Sequence, residues 1–170
     1  MPRNHLVSAL AENLPFCDSS FSVVLSAQSF HWFDGKRALD EFARVLKPGG
    51  RLGLVWNRRD CRVRWIAELE SLLDQVATCT PRRKSGTWRR AFLGSRFTSP
   101  ECYSIPHNYV VTVDVLLTGI RSISFVSSMS RAQQRALYAS IIDLVKNVRS
   151  GDGRVAVPHL TEVHISDLIS

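Results

Sequence analysis

Residues 21–56 constrain this chain more than any other stretch. Phe21-Ser22-Val23-Val24-Leu25-Ser26-Ala27 is a short, mostly apolar run with two β-branched residues, preceded by turn material at Cys17-Asp18-Ser19-Ser20. It is too short for a helix and reads as a strand buried on both faces. Asp34 follows as a helix N-cap, and Ala38, Leu39, Phe42, Val45 and Leu46 recur on one helical face. Pro48-Gly49-Gly50 stops that helix. Leu52 to Trp56 is a second buried strand. Strand, helix and strand within about 35 residues make a βαβ unit, whose strands are parallel and whose crossover is right-handed. The fold class is therefore α/β.

The flanking residues extend this plan. His5 to Leu10 reads as the tail of a strand, and Ala11 to Phe16 as a loop in which Pro15 bars helix. Trp65, Leu69, Leu72, Leu73 and Val76 predict an amphipathic helix over Val63 to Ala77. Periodicity then fails from Thr78 to Pro100. Residues 78–100 read as a flexible basic segment inside one domain spanning 1–170, with Trp88, Phe92, Leu93 and Phe97 as scattered apolar anchors. Tyr103 to Val113 predicts a strand, and Asp114 to Ile120 a short helix ending near Gly119. Ser130-Arg131-Ala132-Gln133 is a capping box that opens a helix with Leu137, Ile141, Leu144, Val145 and Val148 on one face. Val155 to Ile165 is a last strand, and its Pro158 predicts an edge or bulged strand.

Composition narrows the setting. At 170 residues the chain suffices for one domain with its own core. No apolar run approaches the roughly 20 residues of a membrane helix, and no signal-type apolar region follows the first residues, so neither membrane nor secretion is expected. Cys17, Cys61, Cys79 and Cys102 are far apart and form no C-x-x-C pair. They are read as free thiols in a reducing, cytoplasmic setting, with no metal site expected. The net charge of +7 is local: residues 51–100 carry eleven basic and four acidic side chains, whereas both flanks balance. The cluster from Arg82 to Arg90, with Trp88 inside it, would suit nucleic acid. No recognition motif accompanies it, and a charge run is usually a solvated loop, so nucleic acid is not expected as a partner. Arg58, Arg59, Arg62 and Arg64 flank a helix start and would suit the border of an acidic ligand. No Gly-x-Ser-x-Gly elbow and no paired carboxylates occur, which excludes the common hydrolase designs.

Several words in fixed order carry a family resemblance. They are Ala11-Glu12-x-Leu14-Pro15-Phe16, Ser20-Phe21-x-Val23-Val24, Phe30-His31-Trp32-Phe33 and Arg44-Val45-Leu46-Lys47-Pro48-Gly49-Gly50. Together they resemble the class I S-adenosylmethionine-dependent methyltransferases of the type 11 group, in the subgroup with His-Trp-Phe after the strand. Arg121-Ser122-x-Ser124-Phe125-Val126 and Pro158-x-x-Thr161-Glu162-Val163 match tail words of that subgroup. The resemblance implies a Rossmann-like sheet of parallel strands with a C-terminal antiparallel hairpin and flanking helices. It implies S-adenosylmethionine as cofactor and a small-molecule methyl acceptor. Ala11 and Glu12 would edge the adenine. Ser26, Ala27 and Gln28 would face the methionine half. His31 would border the cofactor, with Trp32 and Asn57 on the substrate side. Read as residues alone, His31 is equally a packed loop histidine, and Trp32 and Phe33 favour packing over stacking.

The departures shape the remaining expectations. No Gly-x-Gly precedes Phe21, and the acidic residue that holds the ribose hydroxyls in the family has no counterpart. Leu10 stands where many relatives carry a polar residue, and Ser22 replaces a common Asp. The chain is therefore expected to begin at the family's third strand, as a truncated isoform, a partial gene model or a decayed copy. A sheet edge left exposed in this way would invite self-association. Two rivals stand side by side: a methyltransferase, and a non-enzymatic remnant or interaction module with the second half of that fold. No catalytic residue is assigned, because methyl transfer from a sulfonium needs alignment first and a base only for some acceptors.

Overall fold

Eleven residues of helix between two strands set the frame of the computed structural model, which describes residues 6–77 and 86–169. β1 (Phe21–Ala27) leads through a 3-10 turn (Phe30–Trp32) to α1 (Gly35–Val45), and β2 (Leu46–Arg59) follows at once. Asp34 caps α1, its carboxylate accepting from the Arg37 N–H at 3.3 Å. α2 (Arg64–Val76) comes next, then a 3-10 helix (Thr87–Phe92) and β3 (Glu101–Thr112). α3 (Val113–Arg121), α4 (Ser124–Ser127) and α5 (Arg131–Val145) lead to β4 (Arg154–Asp167).

The strand order is β1-β2-β4-β3. β1 and β2 are parallel, as a βαβ unit demands. β4 runs against β2, since Gly50 bonds Leu168, Asn57 meets Thr161 and Asp60 bonds Pro158. It also runs against β3, since Thr98 bonds Asp167, Cys102 approaches His164 and His107 stacks on His159. The antiparallel pair implied for the C-terminus is thus β3 with β4, joined through three helices rather than a tight turn.

Four sequence expectations change. Residues 6–9 form no strand, and Leu10 makes only an isolated bridge to Asn13. β2 starts at Leu46, not Leu52, so Pro48-Gly49-Gly50 lies within the strand. The pairing jumps from Phe21↔Leu46 to Val23↔Arg51, so Lys47–Gly50 bulges out, with Gly49 in the left-handed region that suits glycine (φ 71°). β1 is not buried on both faces: Val23 and Leu25 are 58% and 64% exposed, because β1 ends the sheet order. β4 is internal, so of the edge or bulged alternatives the edge one falls. Pro158 is accommodated by a change of phase, with Val155 and Val157 buried before it and Leu160, Glu162, His164 and Ser166 buried after it.

The chain divides into two compact units. The first comprises Met1–Trp56, Pro81–Tyr103 and Glu162–Ser170. Its core gathers Phe30, Leu39, Phe42, Leu52, Leu54 and Trp56 with Trp88, Phe92 and Phe97. Trp88 is therefore a core residue and not a platform for bases. Leu93, expected as a further anchor, is 80% exposed. The basic run at 82–84 and Cys79 lie outside the described residues.

The second unit comprises Asn57–Thr80 and Ser104–Thr161. Ile66, Leu69 and Leu73 of α2 pack with Ile120, Leu137, Ile141, Val145, Val155 and Val157. The expected face of α2 is turned slightly, so Ile66 rather than Trp65 enters the core. The Ser130–Gln133 capping box forms reciprocally, as its spacing predicts. Around the start of α2, Arg59 pairs with Glu70 at 2.6 Å, Arg62 with Asp60 at 2.7 Å and Arg64 with Glu68 at 2.9 Å. Hydrogen bonding to Arg62, side chain first, holds the Asp60 carboxyl down at about 2. No helix among the described residues is long and apolar enough to cross a membrane.

Candidate functional site

One arginine shapes the Ala11–Phe16 loop. Arg44, in the last turn of α1, donates from Nη1 to the Phe16 carbonyl at 2.8 Å and to Asp18 at 2.6 Å. Its Nη2 donates to the Leu14 carbonyl at 3.1 Å and to Glu41 at 2.7 Å. Glu41 in turn accepts from the Leu14 N–H at 2.7 Å. The hydrogen bond from Arg44 lowers the Glu41 carboxyl, and those to Glu41 and Asp18 raise the guanidinium further above its ordinary range. The Arg-Val-Leu word of the sequence thus serves the Ala-Glu-x-Leu-Pro-Phe word, 27 to 30 residues apart.

Glu12 and Ala11 have distinct places in that loop. Glu12 Oε1 accepts from the Asp34 N–H at 2.8 Å, which ties the loop to the residue capping α1. Ala11 is half-buried against the core.

The carboxyl end of β1 carries the next group. Ser26 is buried, its Oγ 2.9 Å from Ser29 Oγ. Ala27 and Gln28 are exposed at the tip. Gln28 adopts φ 57°, a left-handed conformation costing about 1–2 kcal/mol for a residue with a Cβ. Its N–H donates to the Val55 carbonyl at 2.8 Å, which holds the chain in that turn. In the following 3-10 turn Phe30 is buried and Trp32 is 51% exposed.

His31 is fixed from below by Trp56, whose Nε1–H donates to His31 Nδ1 at 3.3 Å. An indole N–H can only donate, so Nδ1 is the accepting nitrogen and a neutral imidazole carries its proton on Nε2. Trp56 itself is 1% exposed and lies 4.9 Å, centroid to centroid, from Trp88. Asn57 belongs to the second unit, where its Oδ1 accepts from the Thr161 hydroxyl at 2.6 Å. The first unit therefore holds Ala11, Glu12, Ser26, Ala27, Gln28, His31 and Trp32.

Sequence reasoning missed two features. Arg44 appears there only inside a motif, and its partner Glu41 in none. Of the buried polar row Glu162, His164 and Ser166, only Glu162 appears in the sequence reading, inside a tail word, although His164 lies against the rings of Trp56 and Trp88 at 5.5 and 5.0 Å. A signal existed: polar residues at 162, 164 and 166 alternate with Val163 and Ile165, just past a strand-breaking Pro158.

Comparison with known proteins agrees with this geometry. A "Methyltransferase domain" family model matches residues 2–54, which include the loop, β1, α1 and most of β2. "Uncharacterized methyltransferase-like C25B8.10" of Schizosaccharomyces pombe is 36% identical over 141 residues, covering 83% of this chain and 54% of the relative. "Uncharacterized methyltransferase Rv3342" of Mycobacterium tuberculosis is 35% identical over 138 residues, covering 81% and 54%. Among solved structures, a "Putative Type II Methyltransferase" from Anaeromyxobacter dehalogenans superposes with a TM-score of 0.67 at 19% identity, over 99% of this chain and 73% of that one. The chain spans about half the length of the curated relatives it matches. Its βαβ frame and these likenesses together relate it to the methyltransferases: residues 2–54 match a methyltransferase domain, and the chain is similar to relatives of that name over more than four-fifths of its own length and about half of theirs.

Proposed function

We propose that this chain takes part in methyl transfer from S-adenosylmethionine to a small-molecule acceptor, with the carboxyl end of β1 forming one wall of the cofactor site. The observation that carries the reading is the exposed tip at Ala27 and Gln28, held in an unfavourable left-handed turn beside a histidine of defined tautomer. Ligands of open α/β sheets bind at the carboxyl ends of strands. Local strain that persists is a pointer to function.

The residues present fit the group. Ala27 presents no bulk at the tip, Gln28 and His31 place polar side chains beside it, and Trp32 has a half-exposed ring. Ala11 and Glu12 would edge the adenine, their loop pre-set by Arg44 and by the Glu12–Asp34 bond. S-adenosylmethionine, when bound, supplies a methyl group already activated on a sulfonium. The protein's task is then alignment and exclusion of water. Self-association through the open side of β1 belongs to the same proposal, and light scattering across concentrations tests it.

The alternative is a non-enzymatic module with the same half-fold. Calorimetric titration of S-adenosylhomocysteine into the chain separates the two. Micromolar binding, about −8 kcal/mol, weakened by Ala27→Leu, supports the first reading. A cooperatively unfolding chain that gives no heat of binding overturns it and leaves the second.

A further inference from the structure

We propose that Cys102, Glu162 and His164 form a binding site for a zinc ion. Cys102 comes from β3, and Glu162 and His164 from β4, all within the first unit. His164 Nε2 lies 3.7 Å from Cys102 Sγ and 3.7 Å from Glu162 Oε2. One ligand atom from each of the three falls within 4.8 Å of the others. A nitrogen–oxygen gap of 3.7 Å is too long for a hydrogen bond, which spans about 2.7–3.2 Å. It suits two ligands of one cation. Zinc bond lengths of about 2.3 Å to sulfur and about 2.0–2.2 Å to nitrogen or oxygen put tetrahedral ligand atoms about 3.3–3.6 Å apart.

The placement of the strand strengthens the case. Before Pro158 the odd-numbered Val155 and Val157 are buried. Had that phase continued, Val163 and Ile165 would have faced inward with them. The switch at Pro158 and His159 instead buries Glu162, His164 and Ser166, at 8%, 1% and 2% exposure. A one-residue slip reverses every side chain that follows. A thiolate, a carboxylate and a neutral imidazole around a divalent ion sum to no net charge.

The ligand types point to zinc. Thiolate, imidazole and carboxylate form a mixed sulfur, nitrogen and oxygen set of the kind tetrahedral zinc takes. Binding replaces the Sγ–H bond of Cys102 with an Sγ–Zn bond and releases one proton to solvent. Three protein ligands leave the fourth position for water or a ligand atom, and Cys102 is exposed, so the site opens on its side. The ligands come from residues 60 or more apart on two strands, which is why no C-x-x-C spacing announces them.

Cobalt(II), a spectroscopic stand-in for zinc, tests the site in the tag-free 170-residue chain. The expected result is a saturable near-ultraviolet sulfur-to-cobalt charge-transfer band, bleached by one equivalent of zinc. Cys102→Ser removes the band and weakens zinc binding by more than the roughly 10–100-fold that losing an outer-shell partner costs. Cys102 is exposed, so this variant keeps the fold, and the other three cysteines stay in place as internal controls. Glu162→Gln, checked for native circular dichroism, keeps the band but loosens binding. Absence of a saturable band, or a band that survives Cys102→Ser, overturns the proposal.

Discussion

Trp56→Phe is the substitution on which the account of the first unit depends most. Trp56 is 1% exposed, packs on Trp88 and supports His31 through its indole N–H. Removing a buried tryptophan side chain entirely costs about 3–5 kcal/mol. Phenylalanine keeps most of the ring, so the packing loss should be about 1–2 kcal/mol on that scale. Loss of one hydrogen bond adds about 1 kcal/mol. The sum, about 2–3 kcal/mol, lowers the melting temperature by about 5–10 °C in a chain of this size. Thermal unfolding followed by circular dichroism and by tryptophan fluorescence measures it. Trp32→Phe is the matched control, because Trp32 is 51% exposed and exposed sites shift by about 0.5 kcal/mol or less. If the two variants melt together, Trp56 is not the support of the His31 turn, and the reasoning about that turn fails with it.

Other outcomes follow from named contacts. Ser130→Ala removes one half of the capping box and should cost about 1 kcal/mol by chemical denaturation, with Ser130→Gly nearer to wild type. Gly50→Ala brings a Cβ to 2.8 Å from the Lys47 carbonyl and should destabilise clearly, whereas Gly53→Ala meets only the tip of the exposed Leu25 and should be nearly neutral by the same assay. Asp60 has its folded pKa depressed to about 2, so its contribution is present above about pH 4 and is lost as pH falls through about 2. Asp60→Asn should therefore flatten the acid limb of a melting-temperature profile in that window. Burial lowers the pKa of His159, so the folded state resists its protonation and stability falls as pH drops below about 6.5. His159→Gln should remove that part of the slope, and an unchanged profile would show the ring to be solvated.

What could be read from the sequence, and what could not, divides along the range of the interactions. β1 and α1 emerge with nearly their predicted bounds, and α5 with its predicted start, because those signals are local: an apolar run, an aspartate cap, a capping box; α5 stops at Val145, short of the expected Val148. The bounds of β2 were misplaced because Pro48-Gly49-Gly50 reads locally as a stop, while pairing with β1 carries the strand through it as a bulge. The exposure of Val23 and Leu25 depends on β1's place at the end of the sheet order, which no window of residues encodes. The candidate site divides in the same way. The position of Ala27, Gln28 and His31 at a strand's carboxyl end was legible, but the hydrogen bond that sets the His31 tautomer comes from Trp56, 25 residues on. The row from Glu162 to Ser166 is the hardest case, since a regular alternation would have turned these polar side chains outward. Only the phase change at Pro158 brings them inside, and a proline in an internal strand is itself a break with local preference. Where a chain breaks a local rule and then buries a carboxylate and an imidazole behind the break, function is the economical explanation. Ser19 and Gln28, the described non-glycine residues in left-handed turns, show the same break with local preference, and of the two Gln28 stands at the carboxyl end of β1.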